Sequence, residues 1–223
     1  MRYFETKFLE QANEFISGLD RKTVKKILYN IDLAEQTNDP KLFKKLQNDI
    51  WEFRTIYAGL QIRLLAFWDK TDTKETLVLA THGFVKKVDK VRANEIDRAL
   101  KLRDNYFNKN KKSKQMATKE LKTYSLAEMK DTYIGKVGSQ ERDEYEYELR
   151  MDVIGKMIKT ARQDRNLTQE ELGRLVGVQK AQISKLESSA NSATIDTLLK
   201  VFKALKAEIN FNVKLEDTFV KLV

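Results

Sequence analysis

The chain has 223 residues, 41% hydrophobic and 34% charged, with no cysteine and one histidine. That composition supports packed cores in a soluble protein, excludes disulfides and thiolate metal sites, argues against a conventional zinc site, and implies no cofactor. A net charge of +9 and a pI near 9.4 point to a polyanionic partner, nucleic acid first. No apolar run reaches about eighteen residues, and MRYFETKFLEQ lacks the basic-then-apolar layout of a secretory signal. No membrane partner is therefore expected, and a reducing cytoplasm fits.

The first half opens with two helical patterns. Phe8, Ala12, Phe15, Ile16 and Leu19 recur at helical spacing, and Val24, Ile27, Leu28, Ile31 and Ala34 repeat it. Ser17-Gly18-Leu19-Asp20 breaks them into a hairpin, and Asn38-Asp39-Pro40, with the only proline, ends the second. Residues 50–87 are then rich in β-branched and aromatic side chains, with polar breaks at Ala58-Gly59 and Lys70–Lys74. They predict three consecutive antiparallel strands, 50–57, 60–69 and 76–85. A short strand at Arg2–Glu5 is expected at an edge. A final helix is carried by Ile96, Ala99, Leu100 and Leu102.

These strands hold charges that a core does not need. Arg54 shares its face with Glu52, and Arg63 with Leu65 and Phe67, because side chains alternate along a strand. A buried guanidinium is costly unless paired, so either arginine alone reads as one half of an ion pair. Arg54, Arg63, His82, Lys86 and Lys87 on one sheet face would also suit RNA phosphodiester cleavage. The arginines and lysines would stabilise the extra negative charge of the transition state. His82 titrates near neutrality, and a lysine serves in proton transfer only if neighbouring charge lowers its pKa.

Ile50-Trp51-Glu52-Phe53-Arg54, Gln61-Ile62-Arg63-Leu64-Leu65, His82-Gly83-Phe84-Val85-Lys86-Lys87 and Glu95-Ile96-Asp97-Arg98-Ala99-Leu100 resemble HigB-type toxins of the RelE/ParE superfamily, related to phage proteins. The resemblance covers about residues 1–107. It implies a small antiparallel sheet with helices and a ribosome-dependent mRNA endonuclease that halts translation. Arg54 and Arg63 would then hold the phosphate, with His82 and Lys86 or Lys87 in proton transfer.

The charge changes at 108–119, NKNKKSKQMATK. Residues 1–115 carry 24 Lys and Arg against 16 Asp and Glu, whereas 116–223 carry 18 against 17. A solvated stretch running into Met116-Ala117-Thr118 reads as the start of a second protein, so 108–119 is expected to be a flexible junction. Residues 120–150 follow as a helical segment. Five of the eight residues in Glu141–Glu148 are acidic, which suits the first turns of a helix and also docking on the basic first half. Tyr133, Glu144, Tyr145, Tyr147 and Glu148 are the candidate contacts.

Thr168 with Glu171 makes a capping box. Counting Gln169 as the first position, Gly173 is fifth, Gly177 ninth, Ile183 fifteenth and Leu186 eighteenth. A helix-turn-helix needs this spacing: a small residue at the helix crossing, a glycine turn, and two apolar anchors on the second helix. Amphipathic helices at 152–163 and 194–206 flank it. Residues 151–206 resemble the lambda-repressor-like, or XRE, helix-turn-helix family, and the flanks resemble HigA-type antitoxins. The resemblance implies operator DNA as partner, read by Gln179–Glu187. Lys180, Ala181 and Lys185 would meet bases, Gln179 and Gln182 would lie beside them, and Gln169 would hold phosphate. In the C-terminal tail, 207–223, the alternating Ala207–Val213 looks like a strand that could pair with a second copy to give a homodimer, or pair within the chain.

The whole is thus expected to be α+β: a RelE-like domain, a junction, and an all-α DNA-binding domain with a C-terminal strand. It reads as a toxin and its antitoxin on one chain, in contact in cis or in trans. A transcription regulator whose basic first domain has lost catalysis is the alternative.

Overall fold

The structure is a computed structural model that describes residues 2–71, 77–87, 90–116, 121–191, 193–207, 212–215 and 218–221, with backbone alone described at 112–116 and from 212 onward. It divides into two units, Met1–Leu149 and Arg150–Val223.

The first unit begins with β1 (Glu5–Leu9), α1 (Glu10–Ser17) and α2 (Arg21–Thr37). Phe8, read from the sequence as helical, lies in β1, and the strand is Glu5–Leu9 rather than Arg2–Glu5. Asp20 caps α2 by accepting from the Thr23 N–H at 3.0 Å. Next come β2 (Phe43–Lys45), β3 (Trp51–Tyr57), β4 (Leu60–Asp69) and β5 (Leu77–Val85). Asn48-Asp49 and Ala58-Gly59, all at positive φ, make the two hairpin turns. Their backbone twist matches that of the strands they join. The predicted strands thus fall where the alternation placed them.

The sheet order is β2-β3-β4-β5-β1-β6, where β6 is Thr123–Ser125. β1 runs parallel to β5, with Phe8 opposite Ala80. The sheet is therefore mixed rather than antiparallel, and β1 is interior rather than an edge. β6, from beyond the junction, covers its free side with Phe8 opposite Tyr124.

Two layers of helix sandwich this sheet. Gly83 faces α1: a Cβ there would lie 2.1 Å from the Phe15 ring. Asn30 of α2 donates to Thr55 Oγ1 at 3.2 Å on the same side. The opposite side is covered by α3 (Ala93–Met116), whose Ile96, Ala99 and Tyr106 pack with Leu65, Phe67 and Leu79. α3 continues to Met116, so 108–116, expected as flexible junction, is helical backbone; residues 117–119 of that stretch lie outside the described residues. Asn and Lys are only mildly unfavourable in helices, and a helix already nucleated by packing propagates through them.

After β6 come α4 (Leu126–Tyr133) and α5 (Gln140–Asp164). Ser125 and Glu128 form a capping box on α4. The second unit holds the rest of α5, then α6 (Gln169–Val176), α7 (Lys180–Ser188) and α8 (Ile195–Ala204) around Ile158, Leu172, Ile183, Leu186 and Val201. β7 (Asn212–Leu215) and β8 (Thr218–Lys221) pair with each other, antiparallel. The C-terminal strand thus has an intramolecular partner, and residues 208–211 of the expected strand lie outside the described residues. No described helix is long and apolar enough to cross a membrane.

Candidate nucleic-acid interfaces

On the α3 side of the sheet, β3 and β4 set Arg54 directly opposite Arg63, and β5 sets Phe84 beside Arg63 and His82 beside Leu65. Glu52, Arg54, Arg63, His82 and Phe84 thereby share one face. A bulge at Leu65/Ala66 keeps His82 on it by absorbing one extra residue of β5. Arg63 is only 1% exposed. Its Nε lies 3.2 Å from Glu52 Oε2, its other nitrogens donate to the Ile62 carbonyl and Gln61 Oε1, and Arg54 Nε lies 3.5 Å from Glu52 Oε1. Both arginines therefore sit on one carboxylate. Burial holds the Arg63 guanidinium below its ordinary pKa, Glu52 opposes that, and Arg54 reinforces it. Arg54, about a third exposed, is the member of the trio that meets solvent.

His82 is also 1% exposed. Its Nε2 lies 3.0 Å from Glu95 Oε2 and its Nδ1 3.1 Å from Thr81 Oγ1. Burial, helped by the charge of Arg98, lowers its pKa against the opposing Glu95, which favours the neutral ring at pH 7. A neutral ring with its proton on Nε2 donates to Glu95 and accepts from Thr81.

Glu95, in the first turn of α3, reaches a cavity of about 210 Å³ that Phe84, Lys86, Lys87, Lys90 and Arg92 also line. Four cations face one carboxylate there. Lys86 is half-buried and Lys87 exposed. The structure thus brings Lys86 and Lys87 together at this groove, keeps Arg54 at the edge of the same face, and holds Arg63 and His82 beneath the surface. Sequence reasoning did not single out Lys90, Arg92 or Glu95; the clustering of Lys and Arg just before the α3 helix was the available signal.

Residues 121–149 hold the other side of the sheet. Lys130 is buried between Asp32 of α2, at 2.6 Å, and Glu146 of α5, at 2.8 Å. Arg142 bridges Glu146, Asp131 and the Gly135 carbonyl. Tyr145 is buried edge-on against Tyr29, with ring centroids 5.5 Å apart, and burial and the nearby Asp32 raise its pKa well above the usual phenol value. Arg21 donates to the Tyr133 carbonyl at 3.2 Å. Of the candidate contacts, then, Tyr145 docks by its side chain and Tyr133 by its backbone. Glu144, Tyr147 and Glu148 are exposed, because helical periodicity turns 142, 145 and 149 inward and those three outward. The polar contacts run both ways: Arg21 of the first half pairs with Glu141 of the acidic run, whereas Asp32 of the first half receives Lys130 of the later segment.

In the second unit, Gly173 lets α6 approach the next turn: a Cβ there would lie 2.6 Å from the Val178 carbonyl. Gly177 ends α6 at φ +79. Gly155 has the same role, missed in the sequence, where a Cβ would come 2.7 Å from the Leu186 carbonyl. Ile183 and Leu186 are buried, whereas Gln179, Lys180, Ala181, Gln182 and Lys185 are all exposed on one helix. Gln182 Oε1 accepts from the Gln179 N–H at 3.2 Å, capping α7. Arg162 grips Glu187 with two nitrogens, and Gln169 donates to Glu187 Oε2 at 2.8 Å. One of the Gln169 amide N–H groups is thus already used inside the domain.

The fold and surfaces define a small α+β domain with a basic groove, joined to a helix-turn-helix DNA-binding domain. Residues 14–104 match the family of phage derived protein Gp49-like (DUF891), a RelE-like toxin family, and residues 158–211 match a helix-turn-helix family. No curated protein matches the chain. A toxin-type domain and a DNA-binding domain on one polypeptide fit a toxin–antitoxin protein or transcription regulator.

Proposed function

We propose that the chain is a type II toxin–antitoxin module in the cytoplasm: a HigB-type, ribosome-dependent mRNA endonuclease (1–107), a toxin-contacting segment (120–150), a HigA-type autorepressor domain (151–206) and a C-terminal tail (207–223). The observation that carries the reading is the groove where Lys86, Lys87, Lys90 and Arg92 surround Glu95, beside Arg54 on the same face. Cations there would hold the scissile phosphate and stabilise its transition state. Glu95 would take the 2′-hydroxyl proton, with Lys86 or Lys87 protonating the leaving 5′-oxygen. His82 would act through Glu95, fixing its orientation, and Arg63 through Glu52 and Arg54. Exposed Gln179, Lys180, Ala181, Gln182 and Lys185 would read operator DNA, Gln169 would hold a phosphate, and palindromic operators would call for a homodimer.

The seating of 121–149 on β1 and α2 supports neutralisation by a grip on the side of the sheet away from the groove. Expression of residues 1–116, the full length of α3, should arrest growth, and residues 117–223 in trans should restore it. A folded, soluble 1–116 that leaves growth and mRNA intact would reject the endonuclease. The second reading, a regulator with a non-catalytic basic domain, draws on the burial of Arg63 and His82. It expects operator binding in full with no mRNA cleavage by the released first domain.

A further inference from the structure

At the other end of β4 from Arg63 lies a second cavity, of about 640 Å³, within the size range of sites that take small ligands. Its walls are aromatic: Trp51 at the start of β3, Trp68 near the end of β4, and Phe107 on α3. Its rim is cationic, with Lys45, Lys70 and Arg103 around Asp49. The Asp49 carboxyl is held below the usual carboxylate range by the hydrogen bond and charge of Lys45, with Arg103 and Lys70 adding to it. Both indoles are fixed from behind. Trp51 stacks on Phe43 at 4.9 Å, Trp68 packs against Phe4 at 5.4 Å, and the two indoles meet at 5.9 Å and 76°. A planar group entering the cavity would meet rings with little rotamer freedom left to lose.

We propose that this cavity binds one nucleotide of single-stranded RNA, the base stacking on one indole with the other at its edge, and a phosphate meeting Lys70 and Arg103. Aromatic platforms beside a cationic track are what sequence-tolerant single-strand binding requires. An acidic peptide would use the cations and gain little from two indoles. The site rests on the reading that the first unit acts on RNA, and its position suits that reading. Glu95 of the basic groove and Arg103 of this cavity both lie on α3, about 12 Å apart at the helical rise. A strand engaged at one has a second anchor at the other.

The chain has two tryptophans, and both line this cavity, so their emission reports on it directly. Titrating the full chain with short oligoadenylate should quench that emission saturably and in a salt-dependent way. Lys70→Ala with Arg103→Ala should weaken the titration about tenfold or more. Trp51→Phe and Trp68→Phe, each conserving an aromatic ring, should each remove part of the quench. Absence of quenching, an unchanged titration in the lysine–arginine double variant, or equal quenching by polyglutamate would overturn the proposal. Growth arrest by residues 1–116 reads the endonuclease separately: quenching without arrest leaves this site standing alone, and arrest without quenching removes it.

Discussion

Two buried charge clusters in the first unit differ in one respect. On the α2 side, Lys130, Asp32, Glu146 and Arg142 have hydrogen-bonded partners at 2.6–2.8 Å. On the α3 side, Glu52 Oε2, Arg54 Nε and Arg63 Nε are buried without a hydrogen-bond partner, although both nitrogens lie within ion-pair distance of the Glu52 carboxylate. A satisfied buried network rigidifies an interface, whereas one left partly unsatisfied is a place where a ligand has something to supply. The first cluster is a structural fastening. The second adjoins the groove.

The comparison is broken most sharply at Lys130. Lys130→Met leaves buried Asp32 with one cation, the half-exposed Arg2 at 3.8 Å, and should cost about 3–5 kcal/mol of first-unit stability in chemical denaturation. A loss below about 1 kcal/mol would equate the network with an exposed ion pair.

Glu35 gives the next effect, of opposite sign. Burial pushes its pKa to about 7, with Asp32 adding and Thr6 and Arg2 opposing. A carboxyl raised in the folded state lends its stability below the unfolded value, and loses it as pH rises through the folded one. Stability should thus fall between about pH 4.5 and 7, by as much as about 3 kcal/mol. Glu35→Gln keeps an acceptor for the Thr6 N–H and should flatten that slope, raising stability at pH 8; an unchanged slope would assign the fall to other groups.

Arg54→Ala should change stability by less than about 1 kcal/mol, because the side chain is partly exposed. It should nonetheless lower RNA cleavage by the released first domain by at least tenfold, a loss worth about 1.4 kcal/mol. Equal loss of fold and cleavage would make the α3-side cluster structural too. Lys180→Ala with Lys185→Ala should shift stability least, within about 0.5 kcal/mol. If both lysines meet phosphates, the salt slope of operator binding should flatten by about two; if they read bases, sequence preference should relax with the slope kept.

Locally encoded features were legible in the sequence. The Ala58-Gly59 turn, the alternation of β3, β4 and β5, and the Gly173, Gly177, Ile183, Leu186 spacing each depend on neighbours a few residues away. Non-local pairings were not legible. Nothing in Glu5–Leu9 says that it lies parallel to β5, nor does Thr123–Ser125 announce that it completes a sheet begun more than a hundred residues earlier. Buried charges mislead for the same reason. Asp32 and Lys130 look like ordinary solvated residues until the fold puts them 2.6 Å apart. At the groove, the sequence singled out Arg63 and His82 as reactive groups, and the fold places both under the surface behind Arg54 and Glu95. The charge of a side chain is written in the sequence, but its depth depends on packing.

The pairing of β6 with β1 also has a consequence in time. An uncovered β1 would present a row of unpaired N–H and C=O groups, a template for pairing with another chain. During synthesis the sheet emerges before its cover. From Met116 to Leu149, at about 5–20 residues per second, the interval is a few seconds. A cover encoded on the same polypeptide closes that edge after a fixed delay, whatever the concentration of other copies, whereas a separate protein would have to find it by diffusion.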